Sequence, residues 1–174
     1  LQDLPDLPDH LRPALVDAPW KAATAVFETA ILENVDFVLL AGDLLQPTAC
    51  GAAGPALLVE QFELLAERKI PIYWACGTVD DPDRWPSAVS LPENVHRFAK
   101  KPESLTFRRT GQPLATIIGR SSGGQQLLRA AEYTADADDL YRIAVGYGQA
   151  DSESLQGERI DYWALGGDHQ RRVL

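Results

Sequence analysis

The chain has 174 residues, enough for one domain with a sizeable core, and its 45% hydrophobic and 24% charged content is that of an ordinary globular protein. No apolar run approaches the length of a membrane span and no secretory signal opens the chain, so a membrane partner is not expected and the expected location is cytoplasmic. A net charge of −9 argues against nonspecific nucleic-acid binding by the whole domain, because affinity for a phosphate backbone comes from Lys and Arg. The basic pairs Lys100-Lys101, Arg108-Arg109 and Arg171-Arg172 read as solvated surface charge. Cys50 and Cys76 fit no metal or disulfide spacing and read as reduced thiols. Met is absent and the first residue is Leu, so the expectation is a single domain, incomplete at its N-terminus.

Leu1 to Pro13, rich in Pro and Asp, reads as an irregular arm. Asp17 is a candidate N-cap and Pro19 suits a first helical turn. Trp20, Ala23, Phe27, Ala30 and Ile31 then recur at helical spacing, predicting a helix to about Glu33 with Asn34 as its stop. Phe37-Val38-Leu39-Leu40-Ala41 runs unbroken into Gly42-Asp43, which predicts a strand buried on both faces with an Asp presented at its carboxyl end. Pro47 to Gly54 is a loop of small residues, and Leu57, Leu58, Gln61, Phe62, Leu65 and Ala66 mark a second amphipathic helix ending near Lys69. Ile72 to Ala75 is a strand leading to Cys76-Gly77, so strand, helix and strand form a crossover unit. Asp80, Asp81 and Asp83 read as a turn with solvated carboxylates. Val95 to Phe98, Leu105 to Arg108 and Leu114 to Ile118 are extended pieces whose closeness predicts antiparallel pairing or a sheet edge. After a Gly/Ser stretch, Ser121 to Gly124, a helix is expected near Gln125 to Tyr133, followed by strands at Tyr141 to Val145 and Tyr162 to Leu165. These run into Gly146 and Gly166. Four strands thus end in Gly with a polar or aromatic residue just beyond, which predicts a shared rim where loops converge.

The order Leu40-Ala41-Gly42-Asp43, Cys76-Gly77-Thr78-Val79-Asp80, Ile143-Ala144-Val145-Gly146-Tyr147-Gly148 and Asp161-Tyr162-Trp163-Ala164-Leu165-Gly166-Gly167-Asp168-His169 resembles the calcineurin-like metallophosphoesterases. The branch it looks most like is the DNA-repair exonucleases, through the Asp-Tyr-x-Ala-Leu-Gly run. The resemblance spans about Asp17 to Arg172. It implies an α/β fold, a metallophosphoesterase-like β-sandwich of two sheets flanked by helices. It also implies a centre of two divalent ions, commonly manganese, iron or zinc, that activates water against a phosphodiester.

Carried over position by position, Asp43 stands where the family has its bridging carboxylate and His169 where it has the last metal-binding histidine. The family's Asn ligand is Thr78 here, its catalytic His is Val79, its lone His is Tyr147, and the first His of its closing pair is Gly167. Asp80 matches the residue that orients the catalytic His. The opening Asp-x-His motif has no counterpart before Asp43. A catalytic metal needs about three protein ligands, so a bridged pair needs about five or more. The implied centre is therefore degenerate, with Asp81 or Asp168 as the nearest stand-ins.

Other residues carry quieter readings. Asp43 alone is a turn cap, His169 alone a surface histidine, and Tyr147 an aromatic filling the space of an imidazole. His10 and His96 match no motif, Trp74 and Trp163 read as core rather than as base-stacking platforms, and Trp20 and Trp85 read as packing residues. Three functions stand open: an inactive or weak relative kept as a binding subunit, beside a coiled-coil ATPase partner as the resemblance suggests; an active metal-dependent phosphodiesterase or nuclease completed by an upstream motif and substitute ligands; and a one-metal or metal-free small-molecule binder.

Overall fold

A computed structural model describes residues 8, 12–46, 50–124, 127–135 and 139–168, with the side chains of 12–16 excepted. The chain divides after Val35 into two compact units. The first holds helix α1, Arg12–Leu32. Its start lies ahead of the expected cap. Asp17 is inside the helix, where it pairs with Lys21 one turn on at 3.8 Å, and Pro19 is interior. Pro13 occupies the first turn instead, where a missing N–H costs nothing because that donor has no intrahelical partner. The arm reading of residues 12 and 13 is thus corrected, while residues 1–7 and 9–11 lie outside the described residues. The stop is as expected. Asn34 takes φ 49°, and the N–H groups of Asn34 and Val35 close back onto the carbonyls of Ile31 and Ala30, both at 3.1 Å.

The second unit is a two-sheet sandwich. Strands β1 (Val38–Ala41), β2 (Ile72–Ala75) and β3 (Val95–Arg97) form one wholly parallel sheet in the order β1-β2-β3. Strands β4 (Glu103–Arg109), β5 (Gln112–Arg120), β6 (Tyr141–Tyr147) and β7 (Tyr162–Gly166) form the other in sequential order. In it β4 and β5 are an antiparallel hairpin, while β5, β6 and β7 run parallel. Of the three short pieces expected to pair antiparallel or to form a sheet edge, β4 and β5 pair antiparallel, and β3 forms the edge of the parallel sheet.

Side-chain alternation sorts each strand between two layers. Tyr73 and Ala75 of β2, Ile117 of β5 and Ile143 and Val145 of β6 meet between the sheets, with Phe98 and Phe107 filling the gap. Ile72 and Trp74 face the other way and are fully buried, and Phe62 meets the Trp74 ring edge-on at 6.1 Å. Phe62 belongs to helix α2, Ala53–Glu67, which buries Leu58, Gln61, Phe62 and Leu65 of the six positions the sequence spacing marks, leaves Leu57 and Ala66 half-buried, and also buries Gly54 and Pro55 at its start. Lys69 ends it in the left-handed region at φ 58°, with the Ile70 N–H reaching the Leu65 carbonyl at 3.0 Å.

The outer face of the second sheet is covered by irregular chain. Ile118 and Ala144 pack with Leu128 and Tyr133, and the Tyr133 ring meets Trp163 at 5.1 Å. The expected helix to Tyr133 is therefore not formed over residues 127–133, where one 3-10 turn, Ala130–Glu132, stands alone. The Leu128 and Ala130 N–H groups bond the Gln149 and Ser154 carbonyls, both at 2.8 Å, so tertiary partners take donors that a helix would use internally. The mixed α/β architecture with two sheets and two helices is the expected fold class. Among the described residues no helix is long and apolar enough to cross a membrane.

Candidate functional site

The carboxyl ends of β1, β2, β6 and β7 come together at one rim. Asp43, two residues past β1, sits at φ 54°, a left-handed conformation that Asp tolerates better than most residues. Its Oδ1 accepts hydrogen bonds from the Thr78 and Val79 N–H groups at 2.8 and 3.0 Å, and the Thr78 hydroxyl lies at 3.4 Å from the same atom. Its Oδ2 accepts the Tyr147 hydroxyl from the end of β6. The carboxylate thus ties the loop after β2 to the tip of β6, one strand from each sheet.

Two glycines permit this approach. A Cβ on Gly77 would fall on the Asp43 carboxylate and backbone N, so only Gly lets the 77–79 peptide groups reach Oδ1. A Cβ on Gly166, the last residue of β7, would fall on the Ala41 carbonyl at the end of β1. The convergence expected from four Gly-ended strands is realised. Gly146 and Gly166 lie within their strands, whereas Gly42 and Gly77 follow theirs.

Asp80 is not a solvated turn residue. Its side chain is fully buried beneath the rim and accepts four N–H groups. These are the backbone N–H of Asp43 and Leu44, both at 3.1 Å, that of Gly77, and the indole of Trp74 at 3.2 Å. The spacing that suggested a polar turn missed this because β1 and β2 bring inward-turned donors around one carboxylate. Burial pushes the Asp80 carboxyl above the usual carboxylate range, against the pull of the Leu44, Gly77 and Asp43 N–H groups. Asp81 and Asp83 do behave as turn residues. Asp81 caps a 3-10 turn by accepting the Asp83 N–H at 2.9 Å, and Lys100 reaches both carboxylates.

Tyr147 holds its proton more firmly than usual, first because its hydroxyl donates to Asp43 and then through burial. Gly167 (φ 100°) lies against the Gly148 backbone beside the rim. Asp168 closes the described chain, and His169, His10, and the Arg171-Arg172 pair lie outside the described residues. His96 sits away from the rim on β3, 3.3 Å from Glu103 and edge-on to Phe98. Trp74 is core as expected, though its indole also serves Asp80. Trp85 stacks edge-on against Trp74 at 5.3 Å with the Arg97 guanidinium over its ring.

Ser121 is a rim residue that the sequence reading passed over as part of a Gly/Ser loop. Its hydroxyl donates to the Phe98 carbonyl and accepts the Cys76 N–H at 2.9 Å, while the Ser122 N–H reaches the Cys76 carbonyl at 2.7 Å. The tip of β5 is thereby locked to the tips of β2 and β3. Both cysteines are free, and Cys76 is wholly buried.

Among the described residues no group of three or more His, Cys, Asp or Glu could hold a metal ion. Asp43 spends three acceptor positions on protein donors, out of roughly four on a carboxylate. Asp80 turns its oxygens to N–H groups. The described donor set does not fit a two-metal centre.

No family model matches the chain. It is 30% identical over 183 residues to an uncharacterized metallophosphoesterase, YhaO, of Bacillus subtilis (strain 168), a match taking in 97% of this chain and 45% of that protein. The chain therefore spans under half the length of this relative. The likeness supports the metallophosphoesterase superfamily, and the two-sheet α/β sandwich is consistent with that fold.

Proposed function

We propose that this chain carries a phosphoesterase sandwich whose dinuclear metal site is degenerate, and that it is weak or inactive as a phosphodiesterase. One observation carries the reading: the Asp43 carboxylate, the best-matched ligand position, is already engaged by the Thr78 and Val79 N–H groups and the Tyr147 hydroxyl. A bridged pair of divalent ions would have to displace some of these donors, since they take three of roughly four acceptor positions on the carboxylate. At the neighbouring positions it would find Thr78, Val79, Tyr147 and Gly167, none of which offers a carboxylate, imidazole or thiolate. Asp43 and His169 remain the proposed ligand positions, and Asp80 a positioning residue that fixes the Asp43 backbone.

The finer parts of the reading follow the resemblance. The Asp-Tyr-x-Ala-Leu-Gly run at Asp161 to Gly166 supports the DNA-repair-exonuclease branch. A domain of that branch with little activity would serve as a binding subunit, with a coiled-coil ATPase as the kind of partner and a phosphodiester or nucleic acid as the ligand class. The net charge of −9 requires any nucleic-acid contact to be local.

The test is metal content and turnover of the full chain. After equilibration with manganese, the protein is passed through a desalting column, its metal counted, and hydrolysis of bis(p-nitrophenyl) phosphate followed. The expected result is fewer than two ions per chain and no turnover that Asp43→Ala removes. Two ions per chain with turnover abolished by Asp43→Ala would instead establish an active phosphodiesterase with substitute ligands.

A further inference from the structure

The hydrogen bonds at Asp43 cross between sheets. Its main chain continues β1 of the first sheet, and its Oδ1 takes N–H groups from the loop after β2 in the same sheet. Its Oδ2 takes the hydroxyl of Tyr147, which ends β6 of the second sheet. Beneath it, the buried Asp80 carboxylate holds the Asp43 and Leu44 N–H groups, so the Asp43 backbone is not free to turn away. Beside it, Gly166 lets β7 close onto the Ala41 carbonyl. The loop after β2 and the tip of β6 thus meet at one carboxylate, beside the close approach of β7 to β1.

We infer that Asp43 and Tyr147 form a clasp that joins the tips of the two sheets, with neutral hydrogen-bond donors solvating the Asp43 carboxylate where a metal centre would place cations. The inference rests on the proposed degeneracy of the site and assigns Tyr147 a part in it. Tyr147 is a positioning residue, acting through Asp43. A hydroxyl on a carboxylate is a charge-assisted bond, worth more than a neutral pair, and it replaces metal–carboxylate attraction with a contact that needs no ion.

A double-mutant cycle on the full chain tests this. Unfolding by urea is measured for the parent, Tyr147→Phe, Asp43→Asn and the double variant, first with a chelator and then with excess manganese. Both substitutions keep shape, so the variants fold even if the clasp is lost. The expected result is coupling: once Asp43→Asn is present, Tyr147→Phe costs roughly 10-fold less in the unfolding equilibrium constant than it does alone. Manganese leaves that coupling unchanged. Additive effects overturn the clasp, and so does coupling that vanishes when manganese is added, because the carboxylate then serves a cation. The two proposals fail separately. Manganese-dependent turnover with the coupling intact defeats only the degenerate-site reading, and additivity without turnover defeats only the clasp.

Discussion

Asp80 decides the local geometry of the rim, although Asp43 is the residue a sequence reader notices. A buried carboxylate is tolerated only where donors surround it, and Asp80 has three backbone N–H groups and one indole. Removing it strands those donors. Asp80→Ala is expected to destabilise the fold by about 3 kcal/mol or more, read from urea unfolding. Asp80→Asn, which keeps one acceptor oxygen, should fall between Ala and the parent. An effect of Asp80→Ala within about 0.5 kcal/mol of zero, the range of an exposed turn carboxylate, would return Asp80 to the solvated role its Asp-rich neighbourhood suggests. At this scale residue type was legible and residue environment was not. Asp43 was singled out by the apolar run and Gly before it. The burial of Asp80 depends on where β1 ends relative to β2, and no local pattern around residues 80 to 83 encodes that.

At the scale of elements, the close approach of β7 to β1 depends on an absent side chain. Gly166 faces the Ala41 carbonyl, which is backbone and cannot rotate aside. Gly166→Ala is expected to cost about 3 kcal/mol and to lower the unfolding midpoint without changing the fold class, since relief requires the two sheets to part at the rim. An Ala variant as stable as the parent would mean the tips are not in contact. The same scale shows where periodicity succeeds and fails. Helix α2 and the stops at Asn34 and Lys69 follow from local spacing and from residues that take the left-handed region. The helix expected near Gln125 to Tyr133 does not follow. Leu128 and Tyr133 are buried at 0% and 1% exposure against the second sheet, and the Leu128 and Ala130 amides are claimed by the loop at Gln149 to Ser154. At the start of α1, two prolines compete for the first turn. Pro13 holds it, and Pro19 is carried as an interior break in the hydrogen-bond ladder.

For the whole molecule, the groups buried in the core predict how stability responds to alkali. Burial pushes the Cys76 thiol from its usual 9.0 up to about 12, and the Tyr133 phenol from 10.0 up to about 12. Tyr73 is raised by burial, and Tyr147 first by its bond to Asp43. In each case the folded chain keeps a proton that the unfolded chain has released. The fold therefore binds more protons than the unfolded state, and stability falls as pH rises. These contributions are complete below about pH 9 and are lost as pH climbs toward about 12. Urea midpoints should decline steadily over that interval, and Tyr133→Phe should flatten the decline by up to about 1.4 kcal/mol per pH unit. A decline of equal slope in the variant would show that Tyr133 titrates alike in both states. What the amino-acid order by itself determined is the class and direction of the chain: apolar runs ending in Gly, an amphipathic helix between two of them, and a carboxylate set at a strand tip. Those are short-range properties, carried by spacing and by backbone preference. Which donors reach Asp43, that Asp80 is dry, and that Tyr147 closes onto the first sheet from the second were decided only by tertiary structure. Each depends on two segments tens of residues apart arriving at the same rim, and contact across such separations is set by how the sheets pack and not by any neighbour in the chain.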